Sequence, residues 1–331
     1  MPRRSARAPL TLCLATLLTL LLSGCQQGSA PSESYEYALQ GLYSATLAED
    51  GEFALVGSIN HGGSLWNFID NERLYNWNHK RGEYSQITSS AISPEQDWVV
   101  TATPQTLVLW NAKTGAGLNY WTAPSEILDV ALLPNAALAV LGLVDHSVAL
   151  FDVKNGGVRE VFYHDRRVNS VAYNANTQQI LSGSEDYSAR LWEVGNPEPL
   201  QRWEHEDEVQ LVELSPDGSI AFTMAKYDKA ALWSTASGEM LATMPLVSTA
   251  IKRGSIYTAA AISQDNQLLL TGNNDRLVQL WELPDARLVK TWQMPKRDAV
   301  APTSASVLDV AFGSRGNYYA ITSDGFAHKL R

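Results

Sequence analysis

Apolar and polar residues alternate along most of the chain in short runs, and each run ends at a turn rich in Gly, Asn, Asp, Ser or Pro. Alternation with a period of two predicts β-strands with one buried face. One stretch, residues 180–194 (ILSGSEDYSARLWEV), contains two strand-like pieces around a polar turn and ends just after a Leu-Trp pair. The pattern therefore indicates a protein built mainly of short antiparallel strands.

The Leu-Trp pair of this stretch recurs along the chain and defines a repeat. The equivalent positions, spaced by 44, 41, 41, 41, 48 and 49 residues, are Trp66, Trp110, Phe151, Trp192, Trp233, Trp281 and Leu330. A second large apolar residue follows each of the first six after eleven residues: Trp77, Trp121, Phe162, Trp203, Met244 and Trp292. Nine of the ten tryptophans lie in these two columns, so the unit is present in seven copies. A unit of about 40–45 residues with four strands is typical of a propeller blade.

Residues ~35–331 resemble the WD-repeat family in these Leu-Trp pairs and in the aspartates of the turns that precede them. In that family a histidine, a Ser or Thr, the turn Asp and the Trp form one buried hydrogen-bond chain. The resemblance implies two such chains here: His164–Ser182–Asp186–Trp192 and His205–Thr223–Asp228–Trp233. Their predicted role is structural, because buried polar groups need partners. The predicted fold class is all-β, a seven-bladed β-propeller of four-stranded blades.

The ends of the repeat array predict how the ring closes. The last copy stops one residue after Leu330 and lacks its outermost strand. The segment Glu33–Leu39 precedes the first copy and has no other place in the repeat. We expect it to supply the missing strand, which closes the ring and removes an open sheet edge.

The first residues have the layout of a secretory signal, with a basic start and an apolar run over Leu10–Leu22. Thirteen residues of helix are too short for the ~30 Å core of a membrane. Leu22-Ser23-Gly24-Cys25 resembles the bacterial lipobox, which implies lipidation of Cys25, and Gln26 after it resembles the outer-membrane sorting pattern of Gram-negative lipoproteins. The predicted organisation is a signal peptide at 1–24, a lipidated cysteine and flexible tether at 25–34, and the propeller at 35–331.

Charge and cysteine usage narrow the function. Three arginines lie in residues 1–24, so the remaining chain carries a net charge of −13, against −10 for the whole, which argues against general nucleic-acid binding. Both cysteines lie outside the repeats, so no disulfide or cysteine-based zinc site is expected in the propeller. His205-Glu206 begins like a zinc-protease motif, but residue 209 is Val. We expect no cofactor, no metal and no enzyme activity.

The long connections that lead into blades two, six and seven share dibasic pairs, and in the first two a tyrosine follows the pair. The candidate partner-binding residues are Lys80, Arg81, Tyr84, Lys252, Arg253, Tyr257, Lys296 and Arg297. Such a basic arc on an acidic body would attract an acidic protein segment first, and anionic glycans or lipid head groups second. The other interpretation is that exposed loops are often basic without any binding role.

Taken together, these patterns predict a membrane-tethered envelope lipoprotein that scaffolds another envelope protein through one face of the propeller. If the cell is Gram-negative, its location is the periplasmic side of the outer membrane. The alternative is an enzyme or small-ligand-binding propeller that uses the central channel. The sequence leaves the oligomeric state and the identity of the partner open.

Overall fold

The computed structural model describes residues 28–246, 256–298 and 305–331. These residues form seven four-stranded antiparallel sheets. The innermost strand of each sheet contacts the innermost strand of the next, and the seventh contacts the first, so the sheets are the blades of a closed ring. The prediction of an all-β, seven-bladed propeller is confirmed.

Each blade runs outwards from the ring axis in chain order. The strands of blades one to three are β2 (Leu42–Leu47), β3 (Phe53–Ser58), β4 (Gly62–Asn67), β5 (Glu72–Trp77); β6 (Ser89–Ile92), β7 (Trp98–Ala102), β8 (Thr106–Asn111), β9 (Gly117–Thr122); β10 (Ile127–Leu132), β11 (Ala139–Leu143), β12 (Ser147–Phe151), β13 (Val158–Tyr163). Those of blades four and five are β14 (Val168–Asn174), β15 (Gln179–Ser184), β16 (Ser188–Glu193), β17 (Gln201–Glu204); β18 (Val209–Leu214), β19 (Ile220–Ala225), β20 (Ala230–Ser234), β21 (Met240–Met244). Those of blades six and seven are β22 (Tyr257–Ile262), β23 (Leu268–Asn273), β24 (Leu277–Glu282), β25 (Arg287–Gln293); β26 (Val307–Phe312), β27 (Tyr318–Thr322), β28 (Phe326–Leu330), with β1 (Glu33–Glu36) outermost in blade seven.

Strand alternation sorts the loops onto two faces of the ring. The turns between the second and third strands of a blade and the connections between blades lie on one face, which we call the interblade face. The other two turns of each blade lie on the opposite face. The described residues contain two short 3-10 helices, Pro134–Ala136 and Ser314–Gly316, and among them no helix has the length and apolar content needed to cross a membrane.

The core lies between blades rather than at one centre. The described buried apolar residues divide into seven clusters, and each cluster is shared by two neighbouring blades. The two tryptophan columns meet there: Trp77 of blade one stacks on Trp110 of blade two with ring centroids 5.0 Å apart. Trp77 Nε1 also donates to the carbonyl of Gly115, in an outer turn of blade two, at 3.0 Å. The eleven-residue spacing therefore places one ring on each side of a blade interface, where both lose contact with water.

The N-terminal strand closes the ring as predicted. Strand β1 pairs antiparallel with β28, with Glu33 opposite Lys329 and Glu36 opposite Phe326. Ser34 Oγ lies 2.8 Å from Nδ1 of the buried His328, which ties the two ends of the chain together through side chains.

The described part of the predicted tether also lies against the blades. Backbone bonds join Ser29 to Thr291 and Gln293 of β25, at 2.9 Å each. A side chain at Gly28 would meet the carbonyl of Thr291 at 2.7 Å, so only glycine allows this approach. Within the flexible tether predicted over 25–34, residues 28–34 thus lie against blades six and seven.

Candidate functional site

The hydrogen-bond chain of blade four links four side chains from the tryptophan to the turn. Trp192 Nε1 donates to Ser182 Oγ at 2.8 Å, Ser182 lies 2.7 Å from His164 Nε2, and His164 Nδ1 lies 2.9 Å from Asp186 Oδ2. The indole N–H can only donate, so Ser182 Oγ accepts from it and donates its own hydroxyl hydrogen to His164 Nε2. A neutral His164 then carries its hydrogen on Nδ1 and donates it to the Asp186 carboxylate. Burial lowers the pKa of His164 despite Asp186, in keeping with a neutral ring.

Blade five repeats this chain with threonine in place of serine. Trp233 Nε1 donates to Thr223 Oγ1 at 2.8 Å, Thr223 lies 3.1 Å from His205 Nε2, and His205 Nδ1 lies 3.2 Å from Asp228 Oδ2. Burial would raise the pKa of Asp228, but the backbone N–H of Glu206 and the Lys229 ammonium hold it below its usual range. All eight residues of the two predicted chains are therefore joined as the resemblance implied, inside the blades.

A third chain, in blade two, was missed by the sequence analysis. Trp110 Nε1 donates to Thr101 at 2.8 Å, and His79 Nε2 lies 2.8 Å from the same hydroxyl. His79 Nδ1 lies 2.7 Å from Thr106 Oγ1. A threonine hydroxyl is therefore the partner of Nδ1 here, in the role that an aspartate has in blades four and five. Burial lowers the pKa of His79 to about 4. The available signal was the position of His79, two residues after the second-column Trp77, which matches His164 and His205.

Two described residues of the predicted basic arc are engaged within the fold. Tyr257 is 2% exposed, because it is the first residue of β22 and donates its hydroxyl to Pro245. Arg297 donates to Glu36 and to the carbonyls of Ala38 and Asp324, so it holds the closing strand. Lys296 is exposed beside it.

Two further parts of the site prediction fall outside this description. Lys252 and Arg253 lie outside the described residues, and so does the predicted lipidation site, Cys25. For these three residues the structure adds nothing to the prediction.

The remaining predicted residues lie on the interblade face between blades one and two. Lys80 pairs with Glu83 at 3.6 Å, and Arg81 is exposed beside them. Tyr84 is 71% exposed, and its ring stacks on His61 at 5.7 Å. The basic character of this loop is thus partly neutralised locally, while its aromatic ring remains open to solvent.

Tyr84 belongs to a larger apolar surface that we call the blade-one patch, formed by Leu39, Ile59, His61, Arg81 and Tyr84. Ile59 N donates to the carbonyl of Gly41, and Asn60 Nδ2 donates to Gln40, so the turn of blade one is bonded to the connection that carries Leu39. Leu39 is 74% exposed. Three neighbouring loops therefore each expose an apolar side chain on the interblade face.

The ring axis contains a cavity of about 430 Å³ lined by the inner strands. Its equivalent inner-strand positions are Thr46, Ala91, Ala131, Ala172, Glu213, Ala261 and Ala311. Burial, helped by the negative charges of Asp309 and Glu49, raises the pKa of Glu213 well above its usual value. Among the described residues no group of His, Cys, Asp or Glu side chains is arranged to hold a metal ion.

Two buried aspartates next to this cavity join neighbouring blades. Asp129 Oδ2 accepts from the backbone of Val171 at 2.9 Å, and Asp309 Oδ2 accepts from that of Leu47 at 2.7 Å. Burial raises the pKa of both, that of Asp309 to about 7. Each aspartate comes directly after a bulge in its inner strand. Its carboxylate bonds to the backbone of the next blade, so we assign both residues a structural role.

Comparison with known proteins finds relatives for the repeats. The family model "WD domain, G-beta repeat" matches residues 158–193 and 248–282. The chain is 32% identical over 108 residues to eukaryotic translation initiation factor 3 subunit I of Emericella nidulans, which is 32% of this chain and 30% of that protein. It is 30% identical over 120 residues to the same subunit of Aspergillus terreus, covering 35% and 34% of the two chains. The matches thus span about a third of the length of these relatives.

The names of these relatives contradict the predicted biological setting. They are subunits of a translation initiation factor, not envelope lipoproteins. The predicted function as an envelope scaffold is therefore wrong by this comparison, as are the envelope partner, the membrane anchor and the outer-membrane location. The names given to the relatives are those of factor subunits rather than of enzymes.

The family matches agree with the architecture. Residues 158–193 run from the outer strand of blade three to the tryptophan strand of blade four, and 248–282 end at the corresponding strand of blade six. The chain is a seven-bladed β-propeller, and two of its segments match the WD-repeat model.

Proposed function

We propose that this chain is a non-catalytic, protein-binding subunit of a larger assembly and that it binds its neighbour through the blade-one patch. The relatives are named as subunits of a multi-subunit factor, which supports a role of this kind. The matched third of the chain amounts to fewer than three blades, and blades are shared by many propellers. We therefore propose for this chain only the role of a subunit, and we propose no pathway.

The observation that carries the proposal is the presence of exposed apolar side chains on neighbouring, mutually bonded loops of the blade-one patch. Single exposed apolar residues are ordinary on protein surfaces, whereas contiguous ones mark interaction sites. Leu39 and Tyr84 each expose more than two thirds of their surface, and Arg81 stands beside them. Tyrosine and arginine are enriched among residues that dominate binding energy.

The loops that carry the patch are held in place before any partner binds. Ser85 Oγ accepts from the backbone of His79 at 2.6 Å, and Ser85 N donates to Asn78 at 2.9 Å, which fixes both ends of the loop carrying Tyr84. The ring of His79 is in turn anchored in blade two. A surface that is already ordered loses little conformational entropy on binding, which favours tight association.

The test compares two variants of the full chain in affinity capture from the native cell, read by mass spectrometry and by the size of the recovered complex. We expect Tyr84→Ala combined with Leu39→Ser to lose a partner that the wild type recovers, because the centre of the apolar surface is removed. Leu118→Ser, which changes an exposed residue of the outer strand β9, is the matched control and should recover it. Equal recovery by both variants, or a wild-type chain that migrates alone, would overturn the proposal.

A further inference from the structure

A second exposed surface lies across the ring, where blades three, four and five meet on the interblade face. Three tyrosines lie there. Tyr163 ends β13, Tyr187 lies in the turn between β15 and β16 of blade four, and Tyr227 lies in the turn between β19 and β20 of blade five. They are 63%, 46% and 68% exposed. We call these three residues, with Glu206 and Asp207 between them, the tyrosine patch.

Hydrogen bonds connect the loops that carry the three tyrosines to the buried chains of blades four and five. The Tyr163 carbonyl accepts from Arg190 Nη1 at 2.8 Å, and Arg190 Nη2 lies 2.9 Å from Asp186. The Tyr187 carbonyl accepts from the backbone of His205 at 2.8 Å. Asp228, next to Tyr227, accepts from the backbone of Glu206 at 3.1 Å. The hydrogen-bond chains of blades four and five thus order the loops that present the rings.

Two of the tyrosines occupy a backbone conformation that suits other residues better. Tyr187 has φ 69° and Tyr227 has φ 62°, in the left-handed region that glycine or asparagine adopts at lower cost. Both side chains point away from any core, so packing does not repay the cost of about 1 kcal/mol. Exposed aromatic rings kept at such positions suit recognition by the ring itself.

The charge around the rings is negative. Residues 204–208 contain Glu204, Glu206, Asp207 and Glu208 and no lysine or arginine. Nearby cations are engaged or outnumbered: Arg167 pairs with Glu185 at 3.7 Å, Lys229 with Asp228 at 3.2 Å, and Arg166 is exposed at the edge. A surface that combines open aromatic rings with carboxylates is complementary to Arg and Lys side chains.

The molecule already shows this chemistry at one of the three rings. The Lys226 ammonium lies over the ring of Tyr227, 5.3 Å from its centroid. The rings of Tyr163 and Tyr187 are also exposed, and the backbone carbonyl of Tyr187 is bonded to the loop that carries Glu206 and Asp207. The contact between Lys226 and the ring of Tyr227 therefore indicates that the rings of Tyr163 and Tyr187 can also bind a cation.

We propose that the tyrosine patch binds a basic segment of a protein partner, with arginine or lysine side chains on the rings of Tyr163 and Tyr187 and further positive charge opposite Glu206 and Asp207. This site is separate from the blade-one patch, so the two proposals stand or fall independently. Arginine is preferred over lysine, because its planar group both stacks on a ring and bridges to a carboxylate.

The test is fluorescence anisotropy of the full chain with a labelled peptide of alternating arginine and serine, at low and at physiological salt. We expect Tyr187→Asn to weaken binding about tenfold, because it removes the ring while keeping a residue that tolerates the left-handed turn. Glu206→Gln with Asp207→Asn is expected to weaken binding and to reduce its salt dependence. The thermal unfolding midpoint of each variant is measured to show that it folds.

Two controls separate this site from general attraction to an acidic protein. Glu52→Gln with Glu72→Gln removes the same number of charges from exposed positions on the opposite face and is expected to leave affinity unchanged. Tyr84→Ala removes a ring from the blade-one patch and should also have no effect. Absence of binding by the wild type, or equal weakening by the opposite-face pair, would overturn the proposal.

Discussion

Blades three and four solve the same packing problem with opposite chemistry. In blade four the three equivalent buried positions hold His164, Ser182 and Trp192, joined by hydrogen bonds. In blade three they hold Ala123, Leu141 and Phe151, which share one apolar cluster. Each set is self-consistent: the polar groups of one all find partners, and the other contains none. The comparison teaches that the positions are interchangeable only as a set.

Blades six and seven extend this comparison of the three buried positions. Blade seven repeats the apolar set with Met294, Ala320 and Leu330 in one cluster. Blade six is mixed: Trp281 Nε1 donates to Thr271 at 2.9 Å, but Leu246 occupies the histidine position, so the chain stops at the hydroxyl. A hydroxyl can end the chain because it also donates towards the carbonyl of Gln279, at 3.5 Å.

The strongest way to break the comparison is to place one polar group into the apolar set. Leu141→Ser should lower the free energy of unfolding by about 4 kcal/mol, because it leaves both a cavity and an unpaired hydroxyl in a fully buried site. Chemical denaturation measures this loss. Leu141→Val, which only shortens the side chain, should cost about 1 kcal/mol. Similar losses for the two variants would show that blade three tolerates a hydroxyl.

The reverse change places one apolar group into the polar set. His164→Leu should cost about 3 kcal/mol, because it removes the buried bonds of the histidine to Ser182 and to the Asp186 carboxylate. Ser182 keeps the indole of Trp192, and Arg190 still pairs with Asp186. The triple change His164→Ala, Ser182→Leu and Trp192→Phe copies blade three and should cost less than the sum of its single changes. Additive losses in denaturant unfolding would contradict the idea of a set.

A pH series sharpens the difference between polar and apolar blades. The pKa of His79 is lowered to about 4 by burial, so the unfolded chain takes up this proton below about 6.5 while the folded chain does not. Stability therefore falls as pH drops through that window. His79→Gln has no such proton, and its stability deficit against wild type should shrink by about 1–2 kcal/mol from about pH 7 to about pH 5. A deficit independent of pH would contradict the assignment of a buried neutral ring.

The smallest effect is expected in the mixed blade. Thr271→Val removes a hydroxyl that serves a single indole, so it should cost about 1 kcal/mol. Thr223→Val in blade five interrupts a complete chain and should cost more, since His205 and Asp228 lose their link to Trp233. Unfolding midpoints of the two variants, measured side by side, decide the order. An equal loss would mean that the histidine adds nothing beyond the hydroxyl.

Large apolar residues at fixed spacing made the fold predictable from sequence. Rings at 11-residue intervals can pack between blades in only one register, so the tryptophan columns defined all seven blades and the missing outer strand. Polar positions were harder, because each histidine lies in the connection that enters its blade, far in sequence from the hydroxyl it contacts. The chains of blades four and five followed from a known pattern, whereas the chain of blade two escaped because Thr106 replaces the expected aspartate.

The candidate sites were predictable only in part, because loop residues carry no periodic signal. Tyr257 follows a dibasic pair and was taken for a loop residue, yet it occupies the first inner-strand position, where Ile127, Val168 and Val209 stand in other blades. That alignment was the overlooked signal. No sequence signal marked Arg297 as a clamp on the closing strand, since its acceptors are mostly backbone carbonyls from distant segments. The exposed tyrosines of blades four and five were visible in the sequence but had no neighbours until the ring placed them side by side.

The closing strand also has a meaning for the order in which the protein is made. Ser34 and His328, 294 residues apart, are partners across this seam. During synthesis, β1 emerges from the ribosome before any blade and waits until the last residues have followed. Blades one to six can each form from local hairpins, but the seam requires contacts between the two most distant parts of the propeller, which form slowly. Ring closure therefore has to wait until β28 has been synthesised, and a truncated chain that lacks β28 would leave the ribosome with its first strand unpaired.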